Sequence, residues 1–460
     1  MSLRRNNNRP ELQNLKALLT NSSAVQNMHD SDIAKILSSI KEEYEERFLS
    51  YIDSLPAKKL GGVLLELPDL LRHEILQHLS AEKLQIALEA LQSDDATDLL
   101  EDLEKADEAK AEIVLGKINS LDREAINKIK NFEPHVAGAF MQTEAFDVWS
   151  GETIENALRR YRELKREGAL ENVHLVYVLE RDGRFIDSIR LEELFLYDAS
   201  TLFSTICKNR RELDIHPHWA YESAPIEEVA EQFHDYDLNA IAVVDSDNLF
   251  VGRITIDDIH DFIENRATKQ MYNLAGVGGH GAELTDCEAS SWRARAIWLL
   301  VNLGTMLLAS MVISAFEETI TQVVALAILM PIIPALSGNA GIQALTVTVR
   351  KLAIGAIDRD NAKKTIYAEM RIALLNGGSF SLLVGVISGV WFGDVRLGIT
   401  MGLTVIAVLI VAGFLGSSIP MLLKHFGIDP AVGSSVVLTG ILDSLAFFTL
   451  FGLASLLLIG

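Results

Sequence analysis

One short stretch deep in an apolar segment holds residues out of keeping with it: Pro331-Ile332-Ile333-Pro334-Ala335-Leu336-Ser337-Gly338-Asn339-Ala340-Gly341-Ile342-Gln343. Two prolines, two glycines, an Asn and a Gln interrupt what would otherwise be a plain membrane span. In hydrocarbon every backbone group needs a partner, so a broken span is expected only where it packs against protein or lines a water-filled path. Asn339 is read as path-lining because it sits at this break. Asp443 is the second anomaly, the one charged residue between Ala431 and Gly460. A carboxylate at membrane depth is costly and marks a functional site by default. Together these features imply a cation pathway. Structural roles compete: Asp443 as a helix-to-helix hydrogen bonder, and Gly338 and Gly341 as small residues that let helices approach.

Five apolar stretches reach the ~20 residues needed to cross a bilayer. They lie near Ala296–Phe316, Thr321–Val349, Ile366–Phe392, Gly398–Leu423 and Pro430–Ile459. The longer ones predict tilt or kinks. Basic residues flank alternate ends. Arg293 and Arg295 precede the first span, Arg350, Lys351, Arg359, Lys363 and Lys364 fill the second loop, and Lys424 follows the fourth span. The positive-inside rule then predicts a cytoplasmic N-terminus and an outside C-terminus. The first residues, including Arg4 and Arg5, are polar and lack the apolar core of a signal peptide. Trp292 and Trp298 have the character of interfacial anchors.

The chain has 460 residues and a net charge of −22, unevenly spread. Of its 63 acids and 41 bases, eight acids and ten bases lie from Trp292 to Gly460, leaving a net −24 before that point. An acidic soluble half is therefore joined to a membrane half. The charge argues against nucleic-acid binding, which needs a basic face, and suits either cation attraction or plain solubility. Two cysteines, Cys207 and Cys287, give no disulfide framework and no Cys-x-x-Cys pair. His216 and His218 lie near Cys207, but their spacing fits no standard metal set. No nucleophile elbow, Walker A loop or zincin helix points to an enzyme. The glycines at Gly276, Gly278, Gly279 and Gly281 follow no strand, so a phosphate loop is poorly supported there.

Leucines recur every 12 residues at Leu55, Leu67, Leu79, Leu91 and Leu103. Pro or Ser after the leucine suits a helix start, and prolines at Pro56 and Pro68 exclude one continuous helix. A stack of short helices, solenoid-like, follows. Two α/β units come next. Strands are predicted over residues 173–179 and 185–189, then over 240–244 and 249–254, each pair joined by a turn rich in Asp, Gly or Asn. A helical segment precedes each pair, at Thr153–Glu167 and Ile226–Asp235. Helices are expected to begin at Leu191 and to run over Asp257–Asn265.

The second α/β unit, Ala242-Val243-Val244-Asp245 with Val251-Gly252-Arg253-Ile254-Thr255-Ile256-Asp257-Asp258, resembles a CBS domain, a module usually found in pairs. Upstream, His135-Val136-Ala137-Gly138-Ala139-Phe140-Met141 resembles the entry to the paired CBS unit of the MgtE family. Ala267-Thr268 with Leu274-Ala275-Gly276-Val277 resembles that family's helix linking CBS to membrane. Pro334, Gly338, Asn339, Gly341 and Gln343 match its membrane motif, as do Asp429-Pro430-Ala431 and the later Asp443. The motifs follow the family's order from about Leu55 to the end. The resemblance implies a multidomain fold: an α-helical solenoid-like N domain over 1–134, α/β paired CBS domains over 135–200 and 201–264, a connecting helix over 265–291, and an all-α membrane domain with five transmembrane helices over 292–460.

It also implies a function. The protein would be a homodimeric Mg2+ channel or transporter of the cytoplasmic membrane, gated by its cytosolic domains. Asp443 would be the pore carboxylate, with Asn339, the backbone at Gly338, and Thr439 one helical turn before it, on the same path. One Asp per subunit suits magnesium, which keeps several waters and binds few carboxylates. Asp95, Asp258 and Asp261 are the candidates for a regulatory cation site. Helix capping is the competing account of Asp257 and Asp258. An adenine nucleotide such as ATP is a possible ligand of the CBS pair. The alternatives are transport of Co2+ or Mn2+, and a membrane-anchored nucleotide sensor. The sequence departs from the family in two places. Arg266, Lys269 and Gln270 stand on the linking helix where acids are usual, which predicts altered magnesium gating. Gly433-Ser434-Ser435 through Gly440 replaces a usual Pro and Thr-Thr pair before the Asp, which bears on ion selectivity.

Overall fold

The structure is a computed structural model that describes residues 28–43, 45–168, 170, 172–276, 288–353, 356–357, 361–432 and 434–459. Arg4, Arg5, Val277, Gly278, Gly279, Gly281, Cys287, Arg359 and Gly433 lie outside the described residues. The chain divides into two units, residues 1–264 and 265–460.

The first unit opens with short helices, among them Ala57–Leu65, Asp69–His78, Ala81–Leu88 and Ser93–Ala106. Their starts follow from the residues. Pro56 and Pro68 take extended backbone angles at the N-caps, and Ser80 Oγ accepts the Lys83 N–H at 3.3 Å. Leu55, Leu67 and Leu79 sit at the turns and are buried in one apolar core. Leu91, at the next turn, packs partly buried against the same core, and the 12-residue rhythm ends after it: Leu103 is buried too, but in the interior of the longer Ser93–Ala106 helix.

Two three-stranded sheets follow with the same topology. β1 (Asp147–Trp149) pairs parallel with β2 (Leu175–Leu179), which pairs antiparallel with β3 (Phe185–Arg190). β4 (Trp219–Tyr221), β5 (Ala240–Val244) and β6 (Phe250–Thr255) repeat the pattern. The irregularities repeat as well, with register shifts at Val178/Leu179 and Val243/Val244. The turn needs a left-handed residue, supplied by Gly183 in one hairpin and Asn248 in the other. The two tips then pair with each other: Phe185 N–H donates to Asn248 O at 2.9 Å and Phe250 N–H to Gly183 O at 3.0 Å. Tyr177, Phe185, Ala242 and Val244 form the core between the sheets. The helix expected from Leu191 is a single 3-10 segment, Leu191–Leu196. The helix expected over Asp257–Asn265 runs on as Ile256–Leu274.

Among the described residues, the second unit has five helices long and apolar enough to cross a membrane: Arg295–Ala315, Ala325–Ala353, Ala362–Phe392, Val395–His425 and Ser434–Ile459, numbered here as spans one to five. They approach each other through small residues. A Cβ on Gly341 would come 2.5 Å from Leu442 Cδ1 of span five, and one on Gly416 of span four 2.5 Å from Gly341 O. Gly440 leaves no room beside Thr305 of span one. Lys351 at the end of span two lies 3.6 Å from the buried carboxylate of Glu369 in span three.

The break in span two falls earlier than the sequence suggested. Helix stops at Leu329 and restarts at Ile332, so Met330 and Pro331 form the interruption. Ile332–Ala353 is then one helix through Gly338, Asn339 and Gly341. Pro334 is tolerated because first-turn N–H groups lack an intrahelical partner anyway. Asn339 is therefore a helical residue two turns past the break, not a residue at it.

Candidate functional sites

In the membrane unit, Thr439 and Asp443 are four residues apart on one helix and share a face. Thr439 Oγ1 lies 2.9 Å from Ser435 O, to which it donates its proton, and its lone pairs remain available. Gly338 is buried against this face: a Cβ there would lie 4.0 Å from Thr439 Cγ2. The Gly-Asn motif thus meets span five one turn before Asp443. Asn339 is exposed in the single protomer and Asp443 is half-buried. Gly341 does the packing that Gly338 does not, since its own missing Cβ admits Leu442.

In the first unit, two helix starts bring their acids together. Asp94 and Asp95 occupy the first turn of Ser93–Ala106, with Asp98 one turn on. Asp257 and Asp258 occupy the first turn of Ile256–Leu274, with Asp261 one turn on. The segment 141–144 fastens them. Gln142 exchanges backbone hydrogen bonds with Arg253, at 2.7 and 2.9 Å. Glu144 caps the Ser93–Ala106 helix by accepting from Ser93 N–H at 3.1 Å and Ser93 Oγ at 2.9 Å. Thr143 N–H donates to the same Ser93 Oγ at 2.9 Å. Asp258 Oδ2 caps its own helix, accepting from Thr255 Oγ1 at 2.7 Å and Thr255 N–H at 3.1 Å.

Burial and mutual repulsion then act on these carboxyls. Burial, with Asp95 beside it, pushes Asp94 up to about 7. Burial, with Asp258 and Asp98 near, pushes Asp95 up to about 7. Asp258 rises to about 8, through burial and then the charge of Asp94. Asp98, which keeps solvent contact, rises least of the four, to about 6, through burial and the charges of Glu101 and Asp102. Among the described residues, Asp94 Oδ1 is buried with no hydrogen-bond partner. Among the described residues no three His, Cys, Asp or Glu side chains close on one point as a metal cage. The donor set is all hard oxygen, which suits a hydrated magnesium ion bridged by its own waters.

Asp95 thus lies within electrostatic reach of Asp258 and Asp261 without forming a cage with them, and the capping role of Asp258 coexists with its place among these acids. Sequence reading undervalued Asp94, the most buried acid of this cluster; its signal was the Ser-Asp-Asp helix start. His216 lies 3.1 Å from Asp214, His218 stacks on Tyr236 and Cys207 is buried, so each has a structural setting of its own.

Three family models match: the MgtE intracellular N domain over residues 28–135, the CBS domain over 212–265, and MgtE, a divalent cation transporter, over 330–453. A magnesium transporter MgtE of Enterococcus faecalis is 30% identical over 331 residues, covering 72% of this chain and 71% of that one. The chain belongs to the MgtE family. A second MgtE magnesium transporter, from Thermus thermophilus, is 28% identical over 449 residues, covering 94% of this chain and 97% of its own. Among solved structures, the cytosolic domain of the Mg2+ channel MgtE in complex with ATP aligns over 55% of this chain and 99% of that chain, at 26% identity and a TM-score of 0.48. The chain thus carries the MgtE order of parts: a helical N-terminal domain, a CBS pair and a helical domain with five membrane-capable helices.

Proposed function

We propose that this protein transports magnesium across the cytoplasmic membrane as a homodimer, with its N-terminus cytoplasmic and its C-terminus outside. The observation that supports this most is the meeting of Gly338 with Thr439, one turn before Asp443. Asn339 is exposed and Asp443 half-buried in one protomer, as expected of groups lining a path shared with a second copy. Asp443 would hold a hydrated ion through its waters, with Thr439 and Asn339 as further oxygen ligands. The relatives are magnesium transporters by name, which favours magnesium over Co2+ or Mn2+. A nucleotide sensor on an anchor needs neither the interrupted span nor Asp443.

Asp95, Asp258 and Asp261 are proposed to take a regulatory cation on the cytosolic side, relieving the repulsion that raises Asp95 and Asp258. An adenine nucleotide at the CBS pair is a second proposed regulator. The test of transport is magnesium flux into proteoliposomes. Wild type should conduct and Asp443→Asn should lose most of the flux. Equal flux from both proteins overturns the pore assignment, and wild-type silence to Mg2+, Co2+ and Mn2+ overturns the transport reading.

A further inference from the structure

Span five carries Asp443 between two neighbours that meet it on different sides. In an α-helix, Thr439 lies about 40° to one side of Asp443 around the axis and Gly440 about 60° to the other. Span two covers the Thr439 side: Gly338 faces Thr439, and Gly341 admits Leu438 and Leu442. Span one covers the Gly440 side. A Cβ on Gly440 would fall inside the Thr305 side chain, 2.6 Å from its Oγ1. Gly440 is thus the notch that seats Thr305 against span five, one turn before Asp443. The half-buried Asp443 projects from the sector between these two contacts.

The two threonines that flank it share one chemistry. Thr439 Oγ1 donates to Ser435 O at 2.9 Å, and Thr305 Oγ1 donates to Asn302 O at 2.8 Å. Each hydroxyl proton is thereby committed to its own helix backbone, and each oxygen keeps lone pairs that can only accept. A magnesium ion gives up its waters reluctantly, and those waters turn their protons outward. A carboxylate flanked by two acceptors matches that donor shell, whereas hydroxyl protons aimed at the site would oppose it. We infer that Thr305 of span one is a further residue of the ion site, accepting a hydrogen bond from the water shell of the cation that Asp443 holds. This rests on the transport reading and adds a third helix to the site, across Asp443 from Gly338 on span two.

The test uses the full-length protein and two readouts. One is magnesium flux into proteoliposomes over a range of magnesium concentrations. The other is calorimetric binding of hexaamminecobalt(III), a mimic of hydrated magnesium whose fixed ligands only donate, read as the component that Asp443→Asn abolishes. Thr305→Val keeps the branched shape and removes the acceptor. It should raise the half-saturating magnesium concentration and the dissociation constant of the cobalt complex about fivefold each, the worth of one hydrogen bond. Thr305→Ser returns the oxygen and should recover most of that loss. Ser310→Ala, further along span one and exposed, should change neither constant. A merely structural contact predicts the opposite order, with Thr305→Val nearer wild type than Thr305→Ser. Constants unchanged in Thr305→Val, or a fall in maximal flux alone, overturn the assignment. A wild type that carries no flux yet binds the cobalt complex, more weakly in Thr305→Val, overturns the transport reading and keeps Thr305 at a cation site. No binding component lost in Asp443→Asn overturns the cation site at Asp443, and the role of Thr305 with it.

Discussion

The contact between the Ser93–Ala106 helix and the start of Ile256–Leu274 should be a proton- and cation-linked joint. In the joined state Asp94 and Asp95 titrate near 7 and Asp258 near 8, against 3.8 for an ordinary Asp. The raised values mean that the joined state keeps protons that separated helices would release. Joining therefore strengthens as pH falls from above 8 towards 4, and the gain stops below the ordinary value. For one proton titrating near 7, lowering pH from 8 to 6 favours the joined state about tenfold, or about 1.4 kcal/mol. Counting the neighbouring acids as one coupled group keeps this a lower bound. Magnesium competes for the same oxygens, so its stabilising effect should be larger at pH 8 than at pH 6. The assay is hydrogen exchange of the full-length protein in detergent, with protection factors for amides 95–103 corrected for intrinsic rate. Asp258→Asn should raise protection at pH 8 and flatten both responses. Protection that is independent of pH, or that falls as pH falls, would refute the account.

Two further outcomes follow from packing. Arg210 is buried, donates through Nε to Asp187 at 3.2 Å and through Nη2 to Ser188 O at 3.2 Å, and pairs with Glu193. Arg210→Met leaves the buried Asp187 carboxylate uncompensated and should cost about 3–5 kcal/mol in thermal or chemical unfolding; a change within 1 kcal/mol would show that Asp187 finds another partner. Gly341→Ala places a methyl 2.5 Å from Leu442 Cδ1 and should cost about 1–3 kcal/mol through overpacking. It should also lower magnesium flux, because Leu442 adjoins Asp443, whereas Gly378→Ala, with open space around it, should leave stability and flux unchanged.

Much of the fold is written in local pattern. Five long apolar runs can be satisfied only as spanning helices, and the observed spans lie within a few residues of the expected ones. Pro56, Pro68 and Ser80 mark helix starts because capping chemistry is local. The Asp182-Gly183 turn and the strands around it were legible for the same reason. β1 and β4 were not, because three-residue strands exist only through a parallel neighbour distant in sequence. The break in span two was misplaced because sequence counts prolines without knowing which one a helix can absorb in its first turn. Asp443 could be singled out from composition alone, since an isolated carboxylate in an apolar run is costly anywhere in a bilayer.

Tertiary structure decided which neighbours these residues have. Gly338 against Thr439, Gly341 against Leu442 and Asp94 buried beside Asp258 are contacts between segments roughly 100 to 160 residues apart. The pairing of Asn273 with Asp429 spans the same distance, 156 residues. No local periodicity encodes such pairs, because the packing that creates them exists only once the helices have been brought together. The sequence determined which groups are expensive to bury; the folded chain determined what each of them is buried against.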